Sequence, residues 1–189
     1  MAPDLVGCSL RFRGAGGVIV EVESYDADDP ACHAYSGRTE RNAVLFGRPG
    51  QAYVYFSYGI HNLLNVVCEP HDQAAAVLIR AIEPVWGVDR MRHRRGRADP
   101  RELCSGPGKL TEALGVDLSH DGDSLLEPPF ELRDRVGEWT RVEIATAPRV
   151  GISRAVERPW RFCAAGSEYL SRQLPGQSQA RGASAQAVG

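Results

Sequence analysis

The chain has 189 residues, enough for one domain with a real core, and its 43% hydrophobic and 24% charged content is ordinary for a globular fold. A formal net charge of −2 argues by itself against a nucleic-acid partner, and no apolar run approaches the ~20 residues that span a bilayer. Five scattered cysteines without a C-x-x-C pair, and five histidines without paired ligand spacing, argue against a disulfide framework or a zinc site.

The first predicted element is a strand over 18–25. Val18, Val20 and Val22 fall on one face of it, and Ile19, Glu21, Glu23 and Tyr25 on the other, because side chains alternate. The two acids stand ~7 Å apart, two steps of ~3.3 Å. Taken alone, this stretch reads as an edge strand with a solvated acidic face. "TERNAVLFG" allows one helical turn or two. "PGQAYVYFSYGIHNLLNVV" reads as a hairpin, with strands over 51–56 and 62–68 and a turn at Ser57, Tyr58 and Gly59. An aromatic at such a tip either folds back on the domain or projects as a wedge suited to a base stack.

The run over 75–82, "AAAVLIRAIEP", is an apolar strand interrupted by Arg80. A buried charge must be paired or line a cavity, and Glu21 and Glu23 are candidate partners. "VWGVDRMRHRRG" reads as a helix that begins after Pro84 and frays at Gly96. "SGPGKLTEALGV" is a clearer helix, with Ser105 as cap, Pro107 in the first turn and Gly115 as stop. Shorter strands are expected at 141–147 and 160–164. The segment 173–189 is small and polar and reads as a disordered tail, which leaves 1–172 as the domain.

Positive charge is almost all arginine, with Lys109 the single lysine, and it is dense at "DRMRHRRGRADPRELCSGPGK". Such a cluster is either a solvated loop or a basic face that tracks phosphates through residues such as Arg94 and Arg95. Ser105, Gly106 and Lys109 at a helix start form either an ordinary cap or a phosphate site. The expected fold class is α/β (α+β): a single domain with a curved, mainly antiparallel sheet, a projecting hairpin and flanking helices. The unpaired cysteines point to a reduced compartment, and the cytoplasm is the expected location.

The blocks "IVEVESY", "HAYSGRTERN", "PGQAYVYFSYGIH", "LNVV", "VLIRAIEP", "ELCSGPGKL", "PRVGIS" and "RPWRFC" stand in order between Asp4 and Ser171. With these the chain resembles the alkyladenine (3-methyladenine) DNA glycosylase family of base-excision repair. The resemblance implies that Glu23 activates the attacking water and that Arg80 lies near that water. It implies that Tyr25, His33 and Tyr55 sandwich a flipped-out base, and that Asn65 crowds the exocyclic amine of normal guanine. Tyr58 would fill the gap left in the duplex. The implied partner is double-stranded DNA carrying alkylated bases. The implied enzyme is a monomer without membrane contact, metal or other cofactor. Two other readings stand beside it: a lesion-binding protein of the same fold without excision, and a hydrolase of free nucleosides.

Overall fold

The computed structural model describes residues 1–174. The tail expected over 173–189 therefore lies, from residue 175 on, outside the described residues. Leu170 and Leu174 are buried in the main core, so the packed domain runs at least to residue 174.

Eight strands form one antiparallel sheet: β1 (Ser9–Phe12), β2 (Ala15–Asp26), β3 (Ala52–Ser57), β4 (His61–Val67), β5 (Ala75–Trp86), β6 (Phe130–Arg133), β7 (Ile144–Ala147) and β8 (Arg161–Ala164). The main path is β3-β4-β5-β2-β1-β6, and β8 pairs with the far half of β2 while β7 pairs with β8. Four short helices flank it: α1 (Ala2–Leu5), α2 (Val88–Arg95), α3 (Pro100–Leu103) and α4 (Pro107–Leu114). The expected α/β domain with a curved antiparallel sheet and a projecting hairpin is the fold observed.

β2 is not an edge strand. It has β5 along one side and β1 and then β8 along the other. Glu21 and Glu23 are both fully buried, so the solvated acidic face expected from alternation does not exist. The local reason is a pair of bulges. The register between β2 and β5 steps from Ile19↔Ile82 to Glu21↔Ala81 and then to Val22↔Ile79. Val20 on one strand and Arg80 on the other are thus extra residues. A bulge re-aims side chains and increases local twist. Here Ile19 joins Val20 and Val22 in the core, while Arg80 reaches both acids.

The helices also depart from expectation. β5 continues through Pro84 and Val85 to Trp86, and a further register step opposite Gly16 and Gly17 accommodates the proline. α2 therefore begins at Val88, after Gly87, rather than after Pro84. "ERNAVLF" forms a 3-10 segment, Glu40–Phe46, capped by Thr39. The region 141–147 divides into the end of a 3-10 turn, Gly137–Arg141, and β7. β1 and β6 were not expected, because "SLRF" and "FELR" are short and carry charges. Leu10, Phe12 and Phe130 nevertheless alternate inward and are buried. No described helix is long and apolar enough to cross a membrane. The five cysteines are free thiols.

Candidate active site

A pocket of about 830 Å³ opens between the hairpin β3–β4, the turn after β2, the start of α4 and the loop that follows β7. Its lining includes Tyr25, His33, Tyr55, Tyr58, Asn65, Arg80 and Lys109. Residues separated by up to 129 positions in the sequence, from Tyr25 to Arg154, thus meet at one cavity.

β2 supplies the acids. Glu23 is fully buried beneath the lining formed by its own three partners. Its Oε2 accepts from the Tyr25 hydroxyl at 2.8 Å and from Arg80 Nη1 at 3.2 Å. Its Oε1 accepts from the backbone N–H of Val150 at 2.7 Å. Glu21, two residues earlier, has a different set. Its Oε1 accepts from Arg80 Nε at 2.8 Å, Arg161 Nε at 2.8 Å and the Ser171 hydroxyl at 2.6 Å. Its Oε2 accepts from the Ser171 N–H at 2.5 Å.

These surroundings push the two carboxyls apart. Burial raises Glu23 above the usual carboxylate range, and Arg80, the Val150 N–H and Tyr25 oppose the shift without cancelling it. Burial acts the same way on Glu21, but the Arg161 hydrogen bond, the charges of Arg80 and Arg161 and the Ser171 hydrogen bond outweigh it, so Glu21 is held below that range. Of the two, Glu21 is the more firmly held anion and Glu23 the more basic group. Glu23 Oε1 accepts one hydrogen bond among the described residues, which leaves a lone pair for a water.

β3 supplies aromatic surface. Tyr53 and Tyr55 share a strand face, with ring centroids 5.4 Å apart. His33 packs edge-on to Tyr55 at 4.5 Å, and its Nδ1 is 2.9 Å from the Tyr53 hydroxyl. His33 lies at the mouth, where burial and then the Arg41 charge lower its pKa and favour the neutral ring. Burial first, and then the Glu23 charge, push the Tyr55 phenol up to about 12, so it stays protonated. Asn65 faces Tyr53 across the β3–β4 ladder and donates to its carbonyl at 3.0 Å. Tyr25 has the Arg149 guanidinium over its ring, 4.6 Å from the centroid.

The hairpin tip projects. Tyr58 is 87% exposed, with a left-handed backbone at φ 50°. It does not fold back into the core, and its hydroxyl is 3.5 Å from the Gly151 carbonyl across the mouth. α4 meets the hairpin beside its tip at Gly108, where a Cβ would stand 2.6 Å from the His61 ring. Only glycine admits that approach.

The start of α4 differs from the sequence reading. Gly106, not Ser105, is the N-cap, and no side chain caps the helix. The Ser105 hydroxyl instead accepts from Lys109 Nζ at 3.4 Å. Gly106 to Lys109, at the start of α4, line the pocket. Arg94 and Arg95 stand elsewhere. Arg94 Nη1 donates to the carbonyls of Ala113 and Leu114, at 2.9 and 2.6 Å, and so closes the C-terminus of α4. Arg95 is mostly buried and paired with Glu112. Both guanidinium groups tie α2 to α4.

Sequence reading missed four contributors: Arg149, Arg161, Ser171 and the Val150 N–H. Arg149 and Asp29 form a fully buried ion pair between the turn after β2 and the loop after β7. That pair fixes the loop whose next residue donates to Glu23. Arg149 and Val150 lie in "PRVGIS" and Arg161 lies in "RPWRFC", so the signal was present as sequence blocks without assigned roles.

The family profile described as methylpurine-DNA glycosylase (MPG) matches residues 1–168. A protein of Rhodopseudomonas palustris (strain HaA2) is 56% identical over 171 residues, 90% of this chain and 84% of the relative. One from Nitrosospira multiformis is 54% identical over 172 residues, 91% and 88% of the two chains. One from Bradyrhizobium diazoefficiens is 52% identical over 175 residues, 93% and 86% of the two chains. All three are provisionally named 3-methyladenine DNA glycosylases. On a match of this extent, the chain belongs to the methylpurine-DNA glycosylase family.

Proposed function

We propose that the protein is a monofunctional DNA glycosylase that excises alkylated purines, among them 3-methyladenine and 7-methylguanine, from double-stranded DNA. Hypoxanthine and ethenoadenine are further candidate substrates. The observation that carries the reading is Glu23: a buried carboxyl with a raised pKa, held beneath an aromatic pocket.

The chemistry accounts for each part. A base must leave the stack before its glycosidic bond is reachable, which costs a few kcal/mol. Tyr58 enters the duplex and holds the gap, while Tyr25, His33 and Tyr55 receive the base. Asn65, rigid through its bond to the Tyr53 carbonyl, shapes the pocket against the amine of normal guanine. As the base departs, positive character develops on the sugar. Glu23 takes the proton of the attacking water through Oε1, and Arg80 orients Glu23 through Oε2. Alkylation already makes the base a good leaving group, so modest acid catalysis suffices. Lys109, the first amides of α4 and the exposed Arg154 at the rim contact backbone phosphates. The enzyme acts as a monomer in the cytoplasm, with no cofactor and no membrane contact.

The test is single-turnover base release from a duplex carrying 7-methylguanine, compared with 7-methylguanosine as free nucleoside. Release from the duplex alone is expected. Tight binding of the duplex without release would make the protein a lesion binder. Release from the nucleoside would make it a nucleoside hydrolase.

A further inference from the structure

The three nitrogens of the Arg80 guanidinium are each committed to a different partner. Nε donates to Glu21 at 2.8 Å, Nη2 to the Ser171 hydroxyl at 3.2 Å, and Nη1 to Glu23 at 3.2 Å and the Val150 carbonyl at 3.3 Å. Glu21 in turn is held from the opposite strand by Arg161, which also donates to the carbonyl of Arg172. Arg161 and Glu21 are almost wholly inaccessible, and neither lines the pocket. The segment that carries Ser171 is anchored by the buried Leu170 and Leu174.

We infer that Glu21, Arg161 and Ser171 are positioning residues that apportion Arg80 between the two carboxylates, so that Glu23 receives from Arg80 a single long contact and remains an effective base. The inference rests on the glycosylase reading and adds to it a control on the strength of the base. With Arg161 engaging Glu21, Arg80 need not satisfy Glu21 alone. Two carboxylates face two guanidiniums, and the set is neutral as a whole. The charged and titratable groups facing Glu23 are Glu21 and Tyr25 on β2, Arg80 on β5, Tyr55 on β3, Cys163 on β8 and Arg149 in the loop after β7.

A scaffold role and an apportioning role differ in one readout, the acidic limb of the excision rate. Glu21→Gln removes the competing anion. Arg80 then serves Glu23 alone, Glu23 becomes a weaker base, and the limb moves to lower pH with a lower plateau. Arg161→Gln removes the cation that satisfies Glu21. Arg80 is drawn toward Glu21, and the limb moves to higher pH. Each shift should be about one pH unit, the scale of one charge within a few ångströms. Arg161→Lys should return the limb toward the wild-type position. Ser171→Ala should move it in the Arg161→Gln direction by less.

The experiment is single-turnover excision of 7-methylguanine from duplex DNA by the full chain between pH 4 and 9, with spontaneous release subtracted and folding followed by melting. Opposite shifts in Glu21→Gln and Arg161→Gln are the expected result. Slower excision with an unmoved limb in both would overturn the inference and leave a plain scaffold. Should Arg161→Gln not fold, Glu21→Gln and Ser171→Ala must still move the limb in opposite directions. Absence of release by the wild-type chain would instead overturn the glycosylase reading itself.

Discussion

The floor of the pocket and its rim are built on opposite principles. The floor is sheet: Glu21, Glu23, Arg80 and Arg161 come from three adjacent strands, every one of them is buried, and each is bonded to another. The rim is turns and a helix start, with Tyr58, Ile60 and Lys109 exposed. Charge in the floor is held by shared partners, so removing any one of it unbalances a neutral buried set, whereas groups at the rim change without disturbing the core. Chemistry should therefore fail at the floor together with stability, and recognition should fail at the rim alone.

The sharpest way to break this contrast is within the floor. Glu23→Gln keeps size and hydrogen bonding but removes the base. Excision should fall at least about a hundredfold while binding to a lesion duplex survives. In the wild type, a base works only when deprotonated. Because burial raises Glu23 above the usual carboxylate range, excision should decline with acid before the ordinary range near 4.5 is reached. Near-normal excision by Glu23→Gln, measured in a single turnover, would remove Glu23 from the mechanism.

Arg149 tests the stability half of the claim. Its pair with Asp29 has no exposure on either side, and it also bonds the carbonyls of Ser24 and Ala155. Arg149→Ala leaves Asp29 buried with the Ala31 N–H at 3.1 Å and, as its remaining cation, the distant Arg158, 3.9 Å away. A loss of about 3–5 kcal/mol follows, which for a domain of this size lowers Tm by on the order of 10 °C. Removing Asp29 as well should restore part of it, the sign of a coupled pair. A melting temperature unchanged in Arg149→Ala would mean that the loop after β7 is held by other contacts.

These floor residues were only partly legible in the sequence. Alternation placed Glu21 and Glu23 on one face correctly, and the cost of a buried charge correctly demanded a partner for Arg80. What alternation could not give was the side of the sheet to which that face belongs. Burial of β2 on both flanks depends on β8, which lies 140 residues away in the chain and covers Glu21 to Glu23. The two bulges also leave no mark in the local pattern, since Val20 and Arg80 read as ordinary strand positions. The rim was easier, because a hairpin tip is a local feature set by Ser57 to Gly59. For the arginine cluster the sequence left two readings open. Composition counts charges, but only tertiary contacts reveal that Arg94 closes a helix end and Arg95 pairs with Glu112.

At the rim, Tyr58→Ala should leave melting unchanged, since a side chain 87% exposed contributes little to the core. Excision should fall most for a lesion in a well-paired duplex, where unstacking costs most, and less for a mispaired or single-stranded lesion. Equal losses on all substrates together with a lower Tm would make Tyr58 a packing residue and erase the distinction between floor and rim.

The smallest effects separate two kinds of arginine and lysine. Lys109 and Arg154 line the pocket mouth and are exposed, and Arg154 makes no ion pair among the described residues. If each meets one phosphate, neutralising either one should weaken binding to damaged and undamaged DNA alike. It should also reduce the slope of log K against log salt by about 1. Arg94→Ala and Arg95→Ala should behave differently. They release the link between α2 and α4 and lower stability by about 1 kcal/mol each, the typical value of such hydrogen bonds, while the salt slope stays close to that of the wild type. A fluorescence-anisotropy titration at several salt concentrations, with melting in parallel, distinguishes them. A reduced slope in Arg94→Ala with unchanged melting would put that guanidinium on the DNA and return the cluster to the role its composition first suggested.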